Sequence, residues 1–243
     1  MTGTTPKGIT QEQAASEWVR GMFGRIAGRY DLLNHLLSLN LDKRWRARLV
    51  DRVAPVLESP GAQALDLCCG TADVALALEQ RLGRPVWASD FCHPMVVEAA
   101  RKISSGRKRT PLFEADALAI PLASETMDVI TVAFGFRNLA NYEKGLKELR
   151  RVLKPGGVAA ILEFSQPVNP AFAALYGFFS TRVLPTVGGM ISGSSEAYTY
   201  LPESIQKFPG AEEFAEAMRQ TGYSRVEFER LMFGAVALHL AWK

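Results

Sequence analysis

Two acids, one glycine and an arginine–asparagine pair mark where this chain could do chemistry. Asp66 lies in the apolar run 62–67, which reads as a short buried strand and ends at Gly70. A helical pattern follows at once over 73–82. Strand, glycine turn and helix make the first unit of a nucleotide-binding α/β fold. A glycine there lets a ligand approach the backbone, and the helix aims its first N–H groups at the same place. The details select among ligands. A pyrophosphate cradle would read G-x-G-x-x-G, but only Gly70 is glycine here, and no Walker lysine follows. Instead, a second acid, Asp90, ends the next strand, over 85–90, and is placed to accept both hydroxyls of a ribose. Nothing basic in the loop awaits phosphate. A nucleoside with a cationic amino-acid tail fits better, which points to S-adenosylmethionine. Asp116, at the exit of a third strand over 112–117, lies where an acid could meet an adenine amino group. Arg137 and Asn138 follow the fourth strand, 128–134, at the edge where this fold binds its ligands.

The elements that must position these groups are legible in the pattern. The run 128–134 is apolar almost throughout, as in a central strand covered on both faces. Tyr142, Leu146, Leu149 and Leu153 recur at helical spacing, and Lys154-Pro155-Gly156-Gly157 should end that helix and turn the chain. A fifth strand is expected over 158–162. Helix 211–221 stops at Gly222, and two alternating strands follow, around 225–229 and 236–242. The short turn at Phe233-Gly234 makes those last two antiparallel. The expected architecture is therefore α/β: a Rossmann-like seven-stranded sheet of the class I methyltransferase type with an antiparallel final hairpin and an N-terminal helical segment. The expected organisation is a disordered tail over 1–10, a helical lid over 11–58, and a Rossmann-like domain over 59–243 with a substrate-pocket insertion around 166–210.

In the lid, Trp18, Met22, Phe23, Ile26, Ala27, Tyr30 and Leu33 keep helical spacing, with arginines on other faces. Tyr30, Asp31, Asn34 and His35 then crowd polar groups into an apolar stretch, which suits the lining of a site. The segment 171–191 is apolar, yet Arg182, Pro185, Gly188 and Gly189 break it into pieces too short to span a bilayer. A helix and loop forming a greasy pocket are expected, with Phe172, Tyr176, Phe178 and Phe179 as pocket or core.

Composition narrows the classes. Of 243 residues, 48% are hydrophobic, enough for a sizeable core, and a net charge of +3 leaves no nucleic-acid footprint. Cys68, Cys69 and Cys92 have neither disulfide nor zinc spacing and read as small packing residues, with no metal site expected. That usage fits a reducing, cytoplasmic compartment.

These residues resemble a known family, the C-methyltransferases of menaquinone and ubiquinone biosynthesis. The likeness is carried by Tyr30-Asp31-Leu32-Leu33-Asn34 through Ser38 and Trp45, by Leu65-Asp66-Leu67-Cys68-Cys69-Gly70-Thr71, and by Phe134-Gly135-Phe136-Arg137-Asn138. Arg151 to Gly157, Leu162 to Ser165, Tyr198 to Leu201, Ser204 and Phe208-Pro209 extend it. The resemblance implies cofactor contacts at Thr71, Asp90, Asp116, Ala117 and Ala133, beside Asp66 and Gly70. It implies catalytic work at Arg137, Asn138, Tyr30, Asp31 and Asn34, with Arg137 steadying a developing phenolate and water or Asp31 taking the proton. Two departures are Ala72, where the family usually has glycine, and the Cys68-Cys69-Gly70 run, where many members keep Gly-Cys-Gly. The implied reaction is methylation of a prenylated hydroquinone ring, demethylmenaquinol first and a ubiquinone-pathway benzoquinol or another small lipid as alternatives. A lipid quinol substrate implies peripheral contact with the inner face of a membrane; a homodimer stays open.

Overall fold

The computed structural model describes residues 2–106, 108–178 and 195–243. Three helices lead: α1 (Glu12–Ile26), α2 (Tyr30–Leu37) and α3 (Leu41–Val53). The sheet strands are β1 (Ala64–Leu67), β2 (Trp87–Asp90), β3 (Leu112–Glu114), β4 (Met127–Ala133), β5 (Leu153–Phe164), β6 (Arg225–Leu231) and β7 (Val236–Trp242). Between them lie α4 (Asp73–Leu82), α5 (His93–Ser105), α6 (Tyr142–Val152), α7 (Pro170–Phe178), α8 (Ser195–Lys207) and α9 (Ala211–Gln220). The strand order is β3-β2-β1-β4-β5-β7-β6. The first five strands pair in parallel, and β7 pairs antiparallel to both β5 and β6, as the sequence pattern predicts.

From β1 the chain winds outward to β3, then returns to place β4 on β1's other side. The loops leaving β1 and β4 therefore diverge at their carboxyl ends and open a crevice, the ligand position of this fold. Alternate residues of the sheet feed two cores. Ala64, Val129, Ala160 and Leu162 pack with Trp45 and Leu49 of α3 and Ala75 and Leu78 of α4. Leu65, Ile130, Val132 and Ile161 pack with Leu146 and Leu149 of α6 and Phe214 and Met218 of α9. Asn141 caps α6 by accepting the Lys144 N–H at 2.9 Å.

The expected end of α6 and turn over 154–157 are present: α6 stops at Val152, and the β4 register passes from Met127–Leu153 to Val129–Val158, so 154–157 bulge out of that ladder. Gly156, at φ +77°, absorbs that irregularity. The tail over 1–10, expected to be disordered, is docked over the residues described. Thr4 donates its N–H to the Leu139 carbonyl at 2.8 Å, and its hydroxyl meets the Tyr200 hydroxyl at 2.7 Å. Gly3 runs so close to Ala140 that a Cβ would overlap its carbonyl. Polar composition alone does not reveal such partners, because they lie on other elements. Much of the apolar stretch 171–191, Phe179 and Arg182 included, lies outside the described residues. Within it, Phe172 of α7 packs 5.0 Å, ring to ring, from Phe233 of the last hairpin. Among the described residues no helix is long and apolar enough to cross a membrane.

Candidate active site

The crevice is a cleft that opens to solvent. Gly70 and Asp90 form one wall, Asp116 and Ala117 another, and Phe134, Gly135 and Asn138 a third. Tyr30 of the helical segment closes it from above: a Cβ on Gly70 would come within 3.3 Å of the Tyr30 ring. Phe91 and Met95 add apolar surface of the kind a base stacks on. Among the described residues the lining holds two carboxylates and no Lys, Arg or His.

Backbone geometry shapes this space. Cys68, Ala72 and Phe134 all take left-handed φ, at +54°, +69° and +59°, beside Gly70 at +55°. Left-handed non-glycine residues cost energy and gather where a chain must bend around a ligand. Ala72 thus occupies a conformation that a glycine would take without strain. Gly135 lies against Cys68, where any Cβ would overlap the Cys68 Cβ.

Asp90 is the anchor of the loop. One carboxylate oxygen accepts the Gly70 N–H and the other the Cys92 N–H, both at 2.9 Å. Burial pushes its carboxyl above the usual range, opposed by those backbone hydrogen bonds. Each oxygen keeps a second lone pair for a ligand hydroxyl. Asp116 accepts the Leu118 N–H at 2.9 Å through Oδ1. Asp66 is placed differently from the expectation that it contacts the cofactor. It is buried beneath the loop, accepting from Ala75 N–H at 3.1 Å and from the Thr131 hydroxyl at 2.8 Å. Burial pushes its carboxyl up to about 7. It straps α4 and β4 to β1 and does not line the cavity. Ala133 precedes the lining residue Phe134 and packs against the core.

The residues expected to be catalytic divide. Asn138 lines the cavity and accepts a hydrogen bond from the Tyr200 hydroxyl at 3.0 Å. Tyr30 lines it too; burial raises its phenol pKa against a hydrogen bond with Asn34, so it stays protonated. Arg137 sits behind Asn138, only 6% exposed. Its Nη1 meets Glu163 at 3.0 Å and the Phe134 carbonyl at 2.5 Å, and its Nε meets Ser204 at 3.3 Å. Among the described residues its Nη2 makes no hydrogen bond. Glu163, 1% exposed, also accepts the Arg137 backbone N–H at 3.1 Å.

Asp31, expected as a candidate base, already has two partners. It accepts the Thr71 hydroxyl at 2.5 Å and the Lys102 ammonium at 2.8 Å. Burial opposes, but these two partners outweigh it and hold its carboxyl below the usual range. A carboxylate so occupied is a tether, and Thr71 is held by it outside the cavity lining. Nothing in the sequence assigns a role to Thr4 or Lys102, and Tyr200 and Glu163 stand in segments that carry the family resemblance without a role of their own. Only Glu163 leaves a local signal, an acid closing the apolar run 158–162. The three cysteines are free thiols; burial raises Cys68 and Cys69 well above the ordinary thiol range and Cys92 to about 11.

A model of the ubiE/COQ5 methyltransferase family matches residues 10–243. The chain belongs to this family. Its relatives include a demethylmenaquinone methyltransferase of Thermus thermophilus, 48% identical over 90% of this chain and 98% of that one. One of the same name from Deinococcus radiodurans is 39% identical over 98% of each chain. A ubiquinone/menaquinone biosynthesis C-methyltransferase of Paracoccus denitrificans is 38% identical over 93% of this chain and 90% of its own length. Among solved structures, a SAM-dependent methyltransferase of Thermotoga maritima superposes with TM-score 0.64 at 15% identity, over 93% of this chain and 99% of that one. Another from Aquifex aeolicus gives 0.54 at 21%, over 79% and 87%. At such identities they show the fold, the class I methyltransferase fold that the strand order displays. For a ubiE/COQ5 member the cavity has the right donor set. A sulfonium with a free amino group is cationic, and an acid-lined space suits it where a phosphate-bearing cofactor would be repelled.

Proposed function

We propose that this enzyme transfers a methyl group from S-adenosylmethionine to a ring carbon of a prenylated hydroquinone, demethylmenaquinol in the first instance. The observation that carries this reading is a cavity whose described lining holds Asp90 and Asp116 and no cationic side chain, with Asn138 on its far wall and the buried Arg137 next to Asn138 in the chain. The names of the relatives support the quinol. Bound there, S-adenosylmethionine supplies an activated, electrophilic methyl group. Asp90 holds the ribose hydroxyls, Asp116 and the Ala117 backbone meet the base, and Tyr30 closes the site from above. Alignment of this kind can supply about 7–11 kcal/mol of rate enhancement.

The ring carbon must be made electron-rich by loss of a neighbouring hydroxyl proton. A phenolic hydroxyl has a pKa near 10, so little is ionised at neutral pH. Arg137 cannot accept a proton: burial lowers its pKa, but Glu163, with the neighbouring Tyr200 and Tyr30, raises it further, so the guanidinium stays charged. Its role is to stabilise the developing phenolate through the donors not given to Glu163. Asn138 orients the quinol oxygen or a water. With Asp31 committed to Thr71 and Lys102, water takes the proton. The apolar tail of such a substrate makes peripheral membrane contact part of the same reading.

Incubation with labelled S-adenosylmethionine and reduced naphthoquinols or benzoquinols tests the proposal. Label in the naphthoquinol ring is expected; label only in a benzoquinol would favour the ubiquinone-pathway reading, and label in neither would refute both. Asp90→Ala should still fold and bind the cofactor at least about tenfold more weakly by calorimetry, since it loses a charge-assisted hydrogen bond.

A further inference from the structure

Helix α2 carries an apolar stripe on the side away from the cavity. Leu32 is 61% exposed, Leu36 44% and Leu39, just past the helix, 75%. Leu32 and Leu36 stand one turn apart and so share a face. On the adjoining side of the helix Leu33 is buried with Val19, Met22, Ile26 and Tyr200. A single exposed leucine needs no explanation, but three within eight residues form a patch.

The backbone adds an independent observation. Asn40 N–H reaches the His35 carbonyl at 2.7 Å, and Leu39 N–H the Leu36 carbonyl at 3.2 Å. This paired pattern ends a helix with a left-handed residue, where glycine is preferred. Here the residue is Leu39, at φ +52°, followed by Asn40 at +60°. A leucine in that conformation strains the chain, and its side chain finds no burial in the free protein.

Charge indicates what covers the patch. Residues 25–48 hold six Lys or Arg against two Asp, more than the whole chain's excess of +3. Both acids are paired: Asp42 is buried with His35 and Arg46, and the partly exposed Asp31 binds Lys102. Lys43 and Arg44, in the first turn of α3 and close after Leu39 in the chain, are exposed. Leucines flanked by cations, with both acids of this segment neutralised by partners, match an anionic bilayer surface. A second copy meeting the same face would oppose like charges.

We propose that this face docks on a membrane bearing anionic headgroups, with Leu32, Leu36 and Leu39 entering the acyl boundary and Lys43 and Arg44 meeting the headgroups. The inference rests on the lipid-quinol reading and locates it: α2 covers the cavity with Tyr30 and faces the bilayer with its leucines, so a quinol ring reaches the site while its tail stays in lipid.

Sedimentation of the full chain with vesicles of phosphatidylcholine containing phosphatidylglycerol, against pure phosphatidylcholine, tests it. Salt-sensitive binding to the anionic vesicles is expected. Leu39→Gly relieves the left-handed strain, so it should unfold at the same or a higher temperature yet bind at least several-fold more weakly. Lys43→Gln with Arg44→Gln should weaken binding by roughly twenty-fivefold, about fivefold per charge. Both variants should methylate a short-tailed quinol in solution at the rate of the unmodified protein. Equal vesicle binding by variants and parent, or indifference to anionic lipid, would overturn the proposal. So would a dimer that Leu39→Gly dissolves, which would assign the patch to self-association. Vesicle binding is read without turnover, so failure of the quinol chemistry shows separately, as no methylation of the short-tailed quinol.

Discussion

Arg137 and Glu163 hold each other before either can act on a substrate. Removing Arg137 alone leaves Glu163 as an unpaired charge in a nearly dry site, a loss of about 3–5 kcal/mol. Arg137→Ala should therefore lose stability as well as turnover. The double change Arg137→Met with Glu163→Gln removes both charges and should recover most of the urea midpoint. Its single-turnover rate at saturating cofactor should nevertheless stay roughly a hundredfold or more below the parent, as when an oxyanion donor is lost. Near-parental methylation by the double variant would reduce the pair to a structural one. Asp66 makes a second residue-scale prediction. Its folded pKa of about 7 lies above the unfolded value near 3.9, so the folded state binds the proton more tightly. Its contribution to stability is complete below about pH 4 and is lost as pH rises through about 7. Asp66→Asn cannot ionise, so its stability relative to the parent should rise across that window. Urea unfolding at about pH 5 and about pH 7.5 measures the difference; a flat or falling difference would contradict a carboxyl held neutral by burial.

The elements around the cavity depend on two loops that meet, the one leaving β1 and the one leaving β4. Cys68 and Gly135 touch at that meeting, with no room for another carbon. Gly135→Ala must push the loops apart, and overpacking of this kind costs about 1–3 kcal/mol. The displaced Phe134–Asn138 wall should weaken cofactor affinity as well, which calorimetry on the folded fraction would detect. Asn141→Ala is the matched control on the same side of the sheet. It should cost about 1 kcal/mol by uncapping α6, and cofactor affinity should not change. Comparable loss of affinity in both variants would mean that general destabilisation, not loop position, sets binding.

Across the whole molecule, a chain of paired polar and charged side chains ties the lid to the sheet's helices. His35 meets Asp42 at 2.8 Å, and Arg46 bridges Asp42 at 2.5 Å and Asp73 at 3.1 Å. Lys102 then joins Asp73 to Asp31, and Asp31 holds Thr71. The chain runs from α2 and α3 through the first turn of α4 to α5. Lys102 is its junction; its own burial lowers the ammonium pKa, but the two carboxylates raise it further. Lys102→Met should speed hydrogen exchange over 30–40 while leaving β1, β4 and β5 protected, and should weaken cofactor binding several-fold. Uniform protection would show that apolar packing of Leu33 alone holds the lid. Partners hold the Asp31 and Asp42 carboxyls below their ordinary values against burial. Their stabilisation is thus present above about pH 4 and lost only as pH falls through the depressed folded values, so the latch should not open near neutral pH.

The sequence by itself determined what short-range physics decides. Strand and helix positions followed from periodicity, the tight turn from Gly70, and the antiparallel final hairpin from Phe233-Gly234 between two alternating runs. The acid-lined cavity followed too, because Asp90 and Asp116 lie at the ends of neighbouring parallel strands and so share one edge of the sheet. Tertiary structure alone decided what each charged group is for. Asp31 became a tether because Lys102, 71 residues away, reaches it. Arg137 became half of a buried pair because β5 brings Glu163 from 26 residues away. Thr4 left its expected disorder because Tyr200, 196 residues on, offers a partner. A backbone conformation is set by sterics within a few residues, which a sequence displays. The chemistry of an ionisable side chain is set by the charges and dielectric around it, and those come from wherever packing brings the chain together.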